Sequence, residues 1–318
     1  MPLKKLRQLG LALLASALLP NLASAEQTLR IGYQKSSTLI TLLKARGSLE
    51  QRLSTQGIRV SWHEFPSGLP LLEALNLGNV DLSADVADTV PVFTQAAGAR
   101  LTYFAREAPS PTAQAILVPA DSPLSTLADL KGKRVAVTKA AGSHYLLIQA
   151  LAKAGLTFKD ITPAYLIPAD GRAAFENHKV DAWVTWDPYV ASAQRQQNAR
   201  VLADGSQLAS YQRYYLAGSD YAQAHPQVLQ QVYLALRDVG TWTKANPVAA
   251  ARILGPLWGN LDSPTVQQAN ARRSYDVQPV RPENLVEQQQ IADAFYREGL
   301  LPKAVDATAV TLFEPAAR

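Results

Sequence analysis

A chain of 318 residues carrying 31 Lys and Arg, 26 Asp and Glu and no cysteine excludes several classes of protein. Without cysteine there is no disulfide, no thiolate metal ligand and no lipid-modified cysteine, while the length is enough for two domains that each bury a core. Setting aside a basic leader leaves 28 basic against 26 acidic side chains, a balance that gives no electrostatic case for nucleic acid or a membrane surface as partner.

That leader is residues 1–25. Lys4, Lys5 and Arg7 precede an apolar run from Leu9 to Leu19, and Ala23-Ser24-Ala25 supplies a small-x-small cleavage pattern. The run is too short to span a bilayer. The expected product is periplasmic and begins at Glu26.

Downstream the chain alternates strand and helix. Leu29–Tyr33, Ile58–Trp62, Val80–Ser83 and Leu101–Phe104 read as strands, and Leu71, Leu72, Leu75 and Leu77 mark the apolar stripe of a helix between Ser67 and Gly78. The apolar pass AQAILV at 113–118 leads to a second unit. Its strands are Val135–Val137, Ala164–Leu166, Ala182–Val184 and Arg200–Ala203, with helices over Ser143–Ala154, over Asp170–Asn177 and from Pro188. Another pass at Tyr211–Gly218 is followed by helices with little strand pattern, including Val228–Lys244 and Asn284–Glu298. The pattern predicts an α/β protein of two lobes, each with a mainly parallel sheet. Lobe I takes residues 26–112 and is completed by the helical 218–318. Lobe II, residues 119–210, is inserted, with hinges at 113–118 and 211–217.

Each strand of such sheets ends in a loop that opens a helix, and these loops share the edge where open α/β folds bind ligands. Helix starts there present unpaired N–H groups, which suit a small anion. Ala140-Ala141-Gly142-Ser143-His144 is the best candidate, because Gly142 permits close backbone approach and Ser143 adds a hydroxyl; a serine N-cap beside a solvated histidine is the plainer reading. Gln34 can donate its amide to an oxyanion. Trp183 and Trp186 flank Thr185, one suited to wall a cleft and the other to pack in the core. Asp187-Pro188 reads as an N-cap followed by proline at the first helical position, and Asp88 as a similar cap. Arg172, after Gly171, and Arg213 are guanidinium groups able to grip a sulfo or phospho group if they face the cleft.

Enzyme signatures are missing. The four histidines have no metal-ligand spacing, and there is no G-x-S-x-G, Walker A or G-x-G-x-x-G. The sequence therefore points to binding rather than catalysis, with no cofactor and no metal.

LRIGYQK, EFPSGLPLLEALNLGNVDL, FTQAAGA, LADLKGKRVAV, GSHYLL, PADGRAAF and VDAWVTWDPY occur in this order. Together they resemble the signature segments of the aliphatic-sulfonate binding proteins of ABC importers, in the nitrate, sulfonate and taurine group. The resemblance covers about residues 28 to 215 and implies a venus-flytrap fold closing on a tetrahedral anion, in a monomer that delivers it to an inner-membrane ABC permease. It implies ligand contacts from Gln34, Asp85 to Asp88, Ser143 and His144, Asp170 to Arg172, and Trp186 and Asp187. A taurine, nitrate or sulfate-ester binder is the alternative within the group; an enzyme or a sensor on the same scaffold lies further off. One segment departs from the pattern: the loop that reads like G-S-T-G-D-x-P-P in sulfonate binders is here SADVADTVP, one residue longer, without glycine and with an added Asp85. A carboxylate there repels a sulfonate unless it takes a hydrogen bond from the ligand or pairs with a cation. The alternative is that Asp85 points away.

Overall fold

The computed structural model describes residues 27–316, so the leader and its cleavage site lie outside the described residues. Strands β1 (Gln27–Gln34), β2 (Ile58–Phe65), β3 (Leu82–Ala87) and β4 (Leu101–Glu107) alternate with helices α1 (Leu39–Arg46), α2 (Ser48–Ser54), α3 (Gly68–Asn76) and α4 (Thr89–Ala96). Next come β5 (Gln114–Val118), β6 (Arg134–Val137), α5 (Gly142–Lys153), β7 (Thr162–Tyr165), α6 (Pro168–Glu176), β8 (Ala182–Trp186), α7 (Tyr189–Gln197) and β9 (Arg200–Asp204). The chain then runs through β10 (Arg213–Gly218), α8 (Ser219–Ala224), α9 (Pro226–Ala245), α10 (Pro247–Leu257), α11 (Ser263–Ala271), β11 (Val277–Gln278), α12 (Val286–Arg297) and β12 (Thr311–Leu312). Among the described residues no helix is long and apolar enough to cross a membrane.

Two sheets result. The first has the order β11-β4-β10-β3-β1-β2 with β12 also on β4, and the second has the order β7-β6-β8-β5-β9. In the first, β1, β2, β3, β4 and β12 point one way and only β10 and β11 are reversed. In the second, only β5 is reversed. The first sheet is thus mostly parallel, whereas the second is mixed, because interior β5 makes both of its pairings antiparallel; the reversed interior strands are the two apolar passes of the sequence. A strand hydrogen-bonded on both sides is not free to hinge. The chain crosses between sheets just before each, at 108–113 and 205–212, where Ser110 N–H donates to Ser210 O at 3.0 Å.

The cores follow from the sequence periods. Leu29 and Ile31 of β1 meet Val228, Leu229, Val232 and Leu236 of α9, while Leu146, Leu147, Ala150 and Leu151 of α5 pack with Ile116 and Val118 of β5. Proline at the first turn starts α9 and α10. The C-terminal helices do more than complete one lobe. Ile291, Ala292 and Phe295 of α12 belong to the core of the second sheet, and the Phe295 ring stands edge-on to Phe93 of α4 at 4.8 Å and to His144 of α5 at 5.0 Å.

Packing of α9 leaves no room at Gly240, where a Cβ would lie 2.3 Å from the Tyr275 carbonyl oxygen. Backbone cannot yield cheaply, so Gly240→Ala should cost about 1–3 kcal/mol of stability, read as a lower denaturant midpoint of the ligand-free protein.

Candidate functional site

The carboxyl ends of β1, β3 and β4 and the beginning of β10 meet at one edge of the first sheet. β3 runs on to Ala87, which places Asp85 inside the strand. Ser83 and Val86 pair with Leu216 and Tyr214, so Ala84 and Asp85 together face Tyr215 in a bulge. The Asp85 carboxylate lies 2.6 Å from Arg213 Nε and 3.4 Å from Arg273 Nη2. Arg273 also binds Glu107 at 2.5 Å, and Tyr215 Oη donates to Glu107 at 2.7 Å. The four charged side chains are all buried. Two cations and two carboxylates cancel, and Asp85 pairs with arginine instead of standing as a free charge. Burial is the largest influence and opposes charge on Arg213, but Asp85, Tyr211 and Glu107 together outweigh it, so the pKa of Arg213 is raised. The Asp85 carbonyl oxygen accepts from both Gln34 Nε2 and Arg213 Nη2 at 3.0 Å, which fixes how the Gln34 amide is turned.

Loops of the second sheet meet this edge directly. Ala140, just before α5, has φ +62°, a left-handed conformation costly for a residue with a Cβ. Both its backbone groups are held: its N–H donates to His144 Nδ1 at 3.2 Å, and its carbonyl accepts from Thr89 Oγ1 at 2.5 Å across the lobes. A Cβ on Gly142 would sit 2.6 Å from the Tyr211 ring and 3.1 Å from Ala87, so this glycine allows the α5 start to approach the other lobe. Trp186 Nε1 donates to Ser36 Oγ at 3.1 Å. Asp187 accepts from Arg272 of the stretch after α11 at 3.1 Å, and Gln268 Nε2 donates to Gln194 Oε1 at 3.0 Å.

The predicted residues divide by position. Gln34, Gly142, Ser143 and Trp186 come to the junction between lobes. Ser143 is fully buried at the first turn of α5, and its Oγ has no partner among the described residues. His144 turns into the core between Phe158, Tyr165 and Phe295; burial, with Lys139 adding, pushes its pKa down to about 3, so it is a neutral acceptor that shapes the turn. It is not the solvated histidine of the plainer reading. Gly171 sits under Trp183, where a Cβ would meet Nε1 at 2.7 Å. Arg172 is directed to Glu176 at 2.7 Å and Gln196 at 2.9 Å on the surface of its own lobe. Asp187 caps α7 by accepting from Ala191 N–H at 3.0 Å, though the helix begins one residue after Pro188. Sequence reading missed Gln114. It is buried, opens β5 opposite Trp186, and neither amide atom has a partner among the described residues. Its one signal was a long polar side chain inside an apolar run.

Two α/β lobes, one with a mostly parallel and one with a mixed sheet, joined by two crossings and meeting at their strand ends, are the architecture of the periplasmic binding proteins. Residues 54–250 match the family described as NMT1/THI5 like, and the chain belongs to that family. An aliphatic sulfonates-binding protein of Escherichia coli (strain K12) is 43% identical over 284 residues, covering 89% of this chain and 88% of the relative. The crystal structure of the periplasmic aliphatic sulphonate binding protein SsuA from Escherichia coli superposes with a TM-score of 0.81, at 42% identity over 90% of this chain and 97% of that one. The alkanesulfonate-binding protein SsuA from Xanthomonas axonopodis pv. citri bound to MOPS gives 0.82, at 42% identity over 87% and 95%. A taurine-binding periplasmic protein of Escherichia coli (strain K12) is 25% identical over 73% of this chain and 74% of its own length.

Asp88 grips a crossing. Its Oδ2 accepts from Gln212 N–H at 2.9 Å, and its own N–H donates to Gln212 O at 3.1 Å. Burial and the nearby Glu287 carboxylate push its pKa up to about 8, against the pull of its backbone hydrogen bonds and Arg213. The folded state therefore holds this proton more tightly than the unfolded chain, whose Asp titrates near pH 3.9. The stability it supplies is complete below about pH 4 and is lost as pH rises through about 8. Asp88→Asn keeps the acceptor without the charge, so its stability should gain on the parent's between pH 5 and 8 in denaturant titrations; identical pH slopes would refute the assignment.

Proposed function

We propose that the chain is a periplasmic solute-binding protein that captures an organosulfonate between its lobes and presents it, as a monomer, to an ABC permease. The observation that carries this reading is the buried, unpartnered Ser143 hydroxyl at the start of α5. A hydroxyl and the first free N–H groups of a helix are the donors an oxyanion requires. The Gln34 and Gln114 amides supply further donors, and Trp186 offers apolar surface to an organic tail. Micromolar capture needs about 8 kcal/mol. A few hydrogen bonds to a charged group, at about 1.5–3 kcal/mol each, meet that need after ordering costs.

The ion pairs of Asp85 bear on the choice of ligand. With its charge offset by Arg213 and Arg273, Asp85 is no obstacle to a plain sulfonate, which favours that class over ligands that must bring their own donor to this position. Taurine and sulfate esters, with the same tetrahedral head, and nitrate remain the alternative. Opening and closing would turn on the crossings at 108–113 and 205–212.

A thermal-shift panel of alkanesulfonates, taurine, sulfate esters, nitrate and sulfate tests the reading, with the largest shift expected from a sulfonate. Ser143→Ala should weaken that ligand about tenfold by calorimetry. The same change should leave the melting temperature of the ligand-free protein nearly unaltered, since the hydroxyl bonds nothing among the described residues. N-terminal sequencing of the periplasmic protein should begin at Glu26, and an intact Met1 would end the export assignment.

A further inference from the structure

We propose that a side pocket at the mouth of the cleft receives the far end of the captured ligand, and that Glu64 within it selects sulfonates whose tail carries a cationic amine. The proposal rests on the sulfonate reading above and adds the part of the substrate that the reading leaves open.

The pocket is lined by Tyr33, Lys35, Thr41, Lys44, Glu64 and Leu257 and has a volume of about 210 Å³. Whole small-molecule sites occupy roughly 300–1,000 Å³, so this space suits one portion of a ligand whose head is held elsewhere. Its place follows from the chain. Tyr33 and Glu64 are paired neighbours near the carboxyl ends of β1 and β2. Lys35 comes directly after Gln34 and directly before Ser36, whose hydroxyl accepts from Trp186 of the other lobe. The Trp186 ring stands edge-on to Tyr189 at 5.9 Å. Burial first, and then the Glu64 carboxylate, push the Tyr189 phenol up to about 12 against the pull of Arg172, so Glu64 lies within electrostatic reach of the second lobe. The path from Gln34 and Trp186 to the pocket is therefore short.

Its surface has two characters. The Tyr33 ring and Leu257, which folding leaves 46% exposed, offer apolar contact to methylene groups. The polar part is ordered by Tyr33, whose hydroxyl accepts from Lys44 Nζ at 2.6 Å and donates to Glu64 Oε2 at 3.3 Å. Among the described residues that long bond is the one hydrogen bond Glu64 accepts, so its carboxylate keeps acceptor capacity for a ligand ammonium. Lys44 is occupied with the Tyr33 hydroxyl and ring. Unlike Asp85, Glu64 is exposed and carries no arginine among the described residues.

The test compares Glu64→Gln with the parent by calorimetry, using 1-pentanesulfonate, 3-morpholinopropanesulfonate and a sulfonate with a terminal carboxylate. In the parent the amine-bearing ligand should bind best. Glu64→Gln should weaken it about five- to tenfold, leave pentanesulfonate within twofold, and strengthen the carboxylate-tailed ligand. Lys35→Gln should shift the amine-bearing ligand the opposite way. An unchanged ratio of amine-bearing to plain sulfonate in Glu64→Gln, with both still bound, overturns the pocket assignment and leaves the sulfonate reading intact. Failure of the parent to bind any sulfonate overturns both. Preference of the parent for the carboxylate tail assigns the pocket to its lysines and overturns the role given to Glu64.

Discussion

Everything at the strand ends of the first sheet depends on the neutral cluster of Asp85, Arg213, Arg273 and Glu107. It joins β3, β4 and β10 to the segment after α11, four stretches that are far apart in the chain. Removing one member of such a buried set costs about 3–5 kcal/mol, because its partner is left as a bare charge in a poorly solvated place. The cluster also orients a polar group outside itself. Gln34 and Arg213 share the Asp85 carbonyl oxygen, so the direction of the Gln34 amide is set by where Arg213 is held.

Around this fixed floor the contacts between lobes are of a lighter kind. Thr89 to Ala140 and Trp186 to Ser36 are single hydrogen bonds, each worth about 0.5–1.5 kcal/mol net. Arg272 to Asp187 is a partly buried ion pair. Contacts of that size are comparable with the roughly 5.5 kcal/mol by which a ligand must favour one state to convert a rare form into the dominant one. A junction built from them suits a protein whose arrangement its ligand is meant to decide. α12 adds apolar surface to both lobes through Phe295, which keeps them associated without fixing a single polar register.

The elements were legible where their periods are strong: β1 and β10 read as apolar runs, and α5 and α9 show clear stripes. What remained hidden was long-range pairing. Asp85 reads as a loop residue because an unpaired carboxylate does not belong in a buried strand, and its partners lie 128 and 188 residues away. His144 reads as a polar residue at a helix start because Phe295, which buries it, arrives from the far end of the chain. The apolar passes read as hinges because nothing local shows that each crosses over to become an interior strand of the other lobe's sheet. Among the site residues, Ser143 and Gln34 were readable from strand-then-loop grammar; Gln114 was concealed inside the hydrophobic run that it begins.

The position of β10 has a bearing on how the molecule is made. It lies between β3 and β4, so until it arrives those two strands have no partner on their facing edges, and the first sheet is split. The intervening chain contains the whole second lobe. Closing a span of well over a hundred residues costs on the order of 4 kcal/mol in chain entropy before any contact rewards it. Pairings of this separation make for slow folding. An emerging amino-terminal half therefore has no finished sheet to collapse into while the remainder is still to come. For a chain exported as proposed above, late completion of the first lobe is an advantage conferred by topology alone.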